Sequence, residues 1–350
     1  MEKNLRVSEE IFRKFYQPEA QYRPVVMWFW NDRISKDEIT FQIEKFKGSG
    51  IFDFFIHPLW GMENEYLTPE FFELIKYTVN EAKKNGMHYW IYDEYNWPSG
   101  MAGGYLLRDE PWTRSKLLKS MKVDLFAGQP ANVYFRGDFL AAQVIYSNKL
   151  RRIVDVTDKV QIRREGEISY LSFKNTSCAS CTMWIYYTDI TRGLTTTGMW
   201  SSFSWFQEGY VDTNNPAAVR KYIEYTHERY KEAIGDEFGK TVKGVFTDEV
   251  NNMSMFDNAP GITPWTDRLP EEFSLEHGYS LIPKLYTLNC SFIDDEVLKV
   301  RYDYWKTCTR LFRDSYMKQV ARWCSDNGLV FTGHLSGEGC LYWHAFQMGD

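Results

Sequence analysis

The sequence predicts an α/β protein, a (β/α)8-type TIM barrel incomplete in this chain, with an inserted antiparallel β-domain. Short apolar strands alternate with capped amphipathic helices through residues 1–114, the first part of the barrel with its first three strands. A stretch rich in Thr, Ser, Val and Tyr at 115–205 lacks helical periodicity and reads as the insert. Strand and helix signals then resume over 206–350, which reads as the fourth and fifth barrel strands.

The elements follow in order. VVMWFW at 25–30 is wholly apolar, as expected of a strand buried on both faces. Ser35 and Glu38 form a capping box; Ile39, Ile43 and Phe46 then share one helical face until Gly48 and Gly50 stop it. The next strand is IFDFFI at 51–56. Thr68 caps a second helix with Pro69 at its first position, Phe71, Ile75, Val79 and Ala82 make its buried stripe, and Asn85-Gly86 ends it before a strand over 87–92. Helical spacing of Val219, Ile223, Thr226 and Tyr230 precedes a strand at 242–247. A long helical pattern from about Asp295 ends at Asn327-Gly328 and leads into a strand over 329–332. Eight strands close such a barrel and five are visible, so the chain is expected to be truncated at its C-terminus.

Composition narrows the partners. A net charge of −6 without a basic stripe excludes nucleic acid. No apolar run approaches membrane-spanning length, and the N-terminus lacks the apolar core of a signal peptide, so the chain as written reads as cytoplasmic, or as periplasmic or secreted if a leader was removed. The six cysteines, Cys178-x-x-Cys181 included, form no regular framework and read as reduced thiols. Aromatic residues at 17% are abundant enough to fill a large core and to supply stacking platforms for sugars.

In βα barrels the reacting groups sit at the C-terminal ends of strands. Trp30, Asn31 and Asp32 follow the first strand, and His57 and Trp60 the second. Asp93, Glu94 and Trp97 follow the third, Asp248 and Glu249 the fourth, and His334 and Glu338 the fifth. Carboxylates and rings on one rim suit glycosidic cleavage, in which one acid protonates the leaving oxygen and a second carboxylate activates water or attacks directly. Carboxyls gathered so closely repel, and at least one is expected to have a raised pKa. Each residue also has a plain structural alternative: a backbone-bonded histidine at 57 or 334, a turn-capping Asp93, core tryptophans at 30 and 60.

The segment YDEYNWPSGMAGG at 92–104 resembles the Y-D-E-x-x-(W/Y)-P-S-G-x-A-G-G segment of glycoside hydrolase family 106, the α-L-rhamnosidase-like proteins. GVFTDE at 244–249 and GHLSGE at 333–338 resemble that family's F-T-D-E and G-H-x-x-x-E strands, in the same order; VDTNNP at 211–216 and WFWN at 28–31 fit as well. The resemblance implies inverting hydrolysis of α-L-rhamnosides or similar deoxy-sugar linkages in polysaccharides, with Glu249 as general acid and Glu338 as candidate base. The strand-end reading sets Trp30, Asn31, His57, Trp60, Asp93, Glu94, Trp97, Asp248 and His334 around the sugar; the resemblance implies in addition a calcium ion whose ligands the sequence does not place, and no organic cofactor is expected. A retaining glycosidase and a non-catalytic or truncated carbohydrate-binding homologue are the alternatives.

Overall fold

The computed structural model describes residues 9–18, 22–146, 152–190, 209–252 and 263–335. A short helix α1 (Glu9–Tyr16) precedes strand β1 (Val25–Trp30), helix α2 (Lys36–Gly48), strand β2 (Asp53–Pro58), helix α3 (Pro69–Lys84) and strand β3 (His88–Tyr92). The cap signals act as the sequence requires: the Ser35 and Thr68 side chains accept from the backbone N–H three residues on, and Pro69 opens α3.

Helix α4 (Tyr105–Asp109) leads to seven strands: β4 (Lys116–Leu125), β5 (Pro130–Arg136), β6 (Asp138–Ile145), β7 (Ile153–Asp155), β8 (Gln161–Glu165), β9 (Ile168–Lys174) and β10 (Cys181–Ile190). Helices α5 (Pro216–Tyr225) and α6 (His227–Ile234) precede strand β11 (Val242–Val250), followed by β12 (Thr263–Trp265), α7 (Leu269–His277), α8 (Tyr286–Asn289) and α9 (Asp295–Phe312). One π-helical turn at 313–317 joins α9 to α10 (Lys318–Asp326), and β13 (Val330–Leu335) follows.

Backbone contacts divide the chain into two compact units, the first made of residues 1–103, 223–248 and 320–334. Its sheet runs in the order β1-β2-β3-β11-β13. The pairs β1/β2, β2/β3 and β3/β11 are parallel. For β11 and β13 the close approaches set the register: Gly244 lies against the Val330 carbonyl and Gly333 against the Thr247 carbonyl, a constant offset that also makes this pair parallel. The described strands form an open sheet. Closure into the expected barrel is not shown, and what is shown is a mixed α/β architecture.

One face of this sheet carries Trp28, Trp30, Phe54, Ile56, Tyr89 and Ile91, all buried, against Phe46 of α2, Phe71 of α3 and Tyr230 of α6. The other face carries Met27, Phe29, Phe55, Trp90, Tyr92 and Phe246. Strand β1 was expected to be buried on both faces. It lies at the sheet's edge, and Phe29 is 47% exposed while Trp28 and Trp30 pack inward, so the strand is one-sided.

The second unit comprises residues 104–222, 249–319 and 335–350, of which the last is described only at Leu335. It is larger than the insert drawn at 115–205, because the helices α7 to α9 pack on the β-structure. The antiparallel sheet β12-β4-β10-β6-β7 is covered on one face by the smaller sheet β5-β9-β8 through Leu125, Phe135, Val144, Leu171 and Met183. Its other face meets the helices through Leu118, Trp184, Phe273, Tyr304 and Leu311. Strand β10 is accordingly apolar on both sides. Among the described cysteines all five are free thiols, with Cys178 exposed and Cys181 buried. No helix among the described residues is long and apolar enough to cross a membrane.

The contact between β11 and β13 supplies a first test. Gly333 has φ +153°, and a Cβ there would stand 1.9 Å from the Thr247 carbonyl oxygen, so any side chain must push the strands apart. Gly333→Ala is expected to cost about 2–4 kcal/mol from combined backbone strain and overpacking, read as a lowered denaturant midpoint. A midpoint equal to that of the parent refutes the close approach.

Candidate active site

The register of the first unit draws a row of rings across one sheet face. Phe29 pairs with His57 between β1 and β2, and Tyr92 pairs with Phe246 between β3 and β11. The rings touch in sequence: Phe29 to His57 at 5.3 Å between centroids, His57 stacked on Tyr92 at 3.9 Å, and Tyr92 to Phe246 at 5.9 Å. Two residues beyond Phe246, on the same face of β11, comes Asp248. Extending the β11/β13 offset places His334 beside it.

Asp248 is held from every side. The Tyr92 hydroxyl donates to its Oδ2 at 2.6 Å, and His334 Nδ1 stands 3.5 Å from its Oδ1. Its backbone N–H donates to Ser99 Oγ at 2.8 Å, and the Ser99 N–H donates back to its carbonyl at 2.8 Å. Ser99 Oγ in turn donates to Asp93 Oδ1 at 2.6 Å. Asp93, fully buried, also faces His227 Nε2 at 3.7 Å, while His227 Nδ1 lies 2.7 Å from the Thr226 hydroxyl. Burial lowers the His227 pKa to about 3, so the ring is neutral at physiological pH.

Glu94 has a different task from the one expected of it. Both oxygens face backbone N–H groups of the loop that follows: Oε1 accepts from Tyr95 at 2.9 Å and from Gly103, and Oε2 accepts from Gly100 at 3.1 Å, Met101 at 2.7 Å and Ala102 at 2.9 Å. Five amides closing on one carboxylate leave it clamping a loop and not facing a sugar. Burial lifts its pKa to about 7 against the opposing pull of those amides.

The other sequence-derived positions separate in the same way. Trp30 is completely buried against Trp28 and Phe71, so it is a core residue, not a sugar platform. Trp60 is 64% exposed, and its backbone N–H donates to Asn96 Oδ1 at 2.7 Å. Asn31 and Asp32 are exposed at the end of β1. His57 is buried, 5.8 Å from the half-buried Trp97. Burial lowers its pKa to about 4 against the opposing pull of the Asp248 charge and the Asn96 backbone carbonyl, so the ring is neutral at physiological pH. Glu249, next to Asp248 on β11, is half-buried with φ +44°. Left-handed backbone at a non-glycine residue is a strain that accumulates at functional sites. Glu338 lies outside the described residues. Among those described, no three His, Cys, Asp or Glu side chains converge to hold a metal ion.

Sequence reasoning missed Tyr92, Ser99 and His227. The first two lie inside the 92–104 segment, where a tyrosine ending one strand and a serine seven residues on were visible as types without partners. His227 opens α6 and carried no signal.

Two outcomes follow from this geometry. Glu94→Ala leaves five buried amides without an acceptor, at roughly 1–3 kcal/mol for each that water does not reach. Loss of soluble folded protein, or a fall in stability of several kcal/mol, is expected; a change under about 1 kcal/mol refutes the clamp. His57 binds a proton in the unfolded chain below pH 6.5 and in the folded one only below about 4, so stability is lost as pH falls through that window. The parent should lose up to roughly 3 kcal/mol more than His57→Phe between those limits, with parallel curves as the contrary result.

Comparison with known proteins gives two findings. Residues 203–342 match the family model described as alpha-L-rhamnosidase, which bears out the resemblance noted in the sequence. The solved structure of a rhamnosidase from Novosphingobium sp. PP1Y is similar in fold, with a TM-score of 0.57 and 15% identity over 92% of this chain and 47% of that chain. The chain thus spans about half the length of that structure. Curated proteins yield no match.

Proposed function

We propose that the protein is a glycoside hydrolase that cleaves α-L-rhamnosides or similar deoxy-sugar linkages in polysaccharides by inversion, its parallel sheet forming part of a (β/α)8 barrel. The match of residues 203–342 carries this reading, because that stretch contains Asp248, Glu249, His334 and Glu338 together. The strand-end cluster supports it: a neutral histidine, a pinned carboxylate and a half-exposed histidine sit where such folds place their chemistry.

In this reading Glu249 gives its proton to the glycosidic oxygen as the C–O bond breaks. Glu338 removes a proton from the water that attacks the anomeric carbon from the opposite face, so the product has inverted configuration. Asp248 does not compete for the acid's role, since its two oxygens face Tyr92 and His334.

The test is turnover of a chromogenic α-L-rhamnoside by the full-length protein, with the first anomer formed identified by NMR. The inverted sugar is expected. A retained anomer overturns inversion, and sugar binding without turnover overturns the enzyme. Glu249→Gln should slow substrates with poor alkoxide leaving groups by about 10²- to 10⁴-fold while sparing activated phenols; equal slowing of both removes Glu249 from the acid's role.

A further inference from the structure

We infer that the Tyr92 hydroxyl and the Asp248 carboxylate form an orienting chain that presents His334 to a sugar hydroxyl, which makes Tyr92 a positioning residue for substrate recognition. The inference rests on the glycoside hydrolase reading and deepens it. Asp248 is immobile because Ser99 holds its backbone N–H and carbonyl while Tyr92 holds Oδ2 at 2.6 Å. The remaining oxygen, Oδ1, is 3.5 Å from His334 Nδ1. In the neutral ring a nitrogen turned towards a carboxylate carries the proton, which leaves the Nε2 lone pair as an acceptor. The Phe246 ring meets His334 nearly edge-on, at 4.9 Å and 77°, and limits its rotation.

The two histidines of this face then divide into separate tasks. His57 is buried and stacked on Tyr92, a wall of the chain. The His334 side chain is 46% exposed, so of the two it can meet a ligand. Sugar hydroxyls donate as readily as they accept, and an imidazole held in a fixed orientation discriminates between hydroxyl positions by geometry. Without Tyr92 the carboxylate loses the partner that fixes its torsion, and the histidine loses the reference that fixes its tautomer.

Tyr92→Phe isolates the effect, because the ring keeps its stacking with His57 and Phe246 and only the hydroxyl goes. In the full-length protein it should raise KM for an α-L-rhamnoside on the order of tenfold, with kcat changed much less. His334→Ala should raise KM similarly, and Tyr92→Phe added to His334→Ala should change it less than about twofold, since both remove one chain. Effects that multiply independently, or Tyr92→Phe with unaltered KM, overturn the proposal. A second measurement does not depend on turnover. In ¹⁵N-histidine-labelled protein the His334 ring should show one tautomer, protonated on Nδ1, that becomes mixed in Tyr92→Phe and Asp248→Asn. The same single tautomer in all three overturns the orienting chain even if the substrate is not a rhamnoside.

Discussion

Without the Glu94 carboxylate the loop at 95–103 would lose the centre to which five of its backbone amides point, and the contacts around Asp248 would lose their support. The clamp sets where Ser99 stands, Ser99 bridges Asp93 to the backbone of Asp248, and Asp248 faces Tyr92 and His334. Each link is a hydrogen bond or ion pair in a buried or half-buried place, where a satisfied polar group is worth keeping and an orphaned one is costly. A surface loop rich in glycine is ordinarily mobile, but this one is folded inward around a buried carboxyl group.

Burial on this scale selects neutral histidines and raises the proton affinity of Glu94. His57 and His227 are both driven far below the ordinary imidazole range by desolvation, so neither titrates near neutrality. Three buried tyrosines, Tyr66, Tyr89 and Tyr230, have their hydroxyl pKa pushed well up by burial, with Asp93 among the charges that raise it further for Tyr66 and Tyr230. The arrangement lines the site with neutral rings and hydroxyls held by packing and hydrogen bonds. Such an environment changes little as a ligand arrives, which is the preorganisation that binding and electrostatic stabilisation both require.

The parallel order of the first unit was legible in the sequence because each strand is short, apolar and bracketed by signals with a local cause. Ser35, Thr68, Pro69 and the Asn85-Gly86 turn act within four residues of themselves, and they appear in the structure as read. What depended on distant neighbours was not legible. Trp30 and Trp60 look alike in sequence, yet one fills the core and the other is exposed, a difference set by the helices over β1. Glu94 reads as one of several rim acids, and only its five donors reveal its task. The helical pattern from Asp295 is nearly continuous to Asp326, but its first part joins the second unit through Val300, Tyr304 and Leu311, so periodicity alone does not say which core it fills.

Adjacent acids on one strand pose a choice that backbone geometry helps to resolve. In regular β-structure Asp248 and Glu249 would point to opposite faces, and only one of them could share a face with Tyr92 and Phe246. The register gives that place to Asp248, and the Tyr92 bond of 2.6 Å agrees with it. Glu249 does not continue the alternation, because its φ of +44° turns the chain out of the extended region at that residue. A carboxylate already gripped by a tyrosine and set against an imidazole is poorly suited to donate a proton, since protonation would forfeit both interactions. In the proposed reaction that step falls to its neighbour, at which the backbone leaves the extended region. In the proposed reaction the same two residues thereby supply an anchor and an acid.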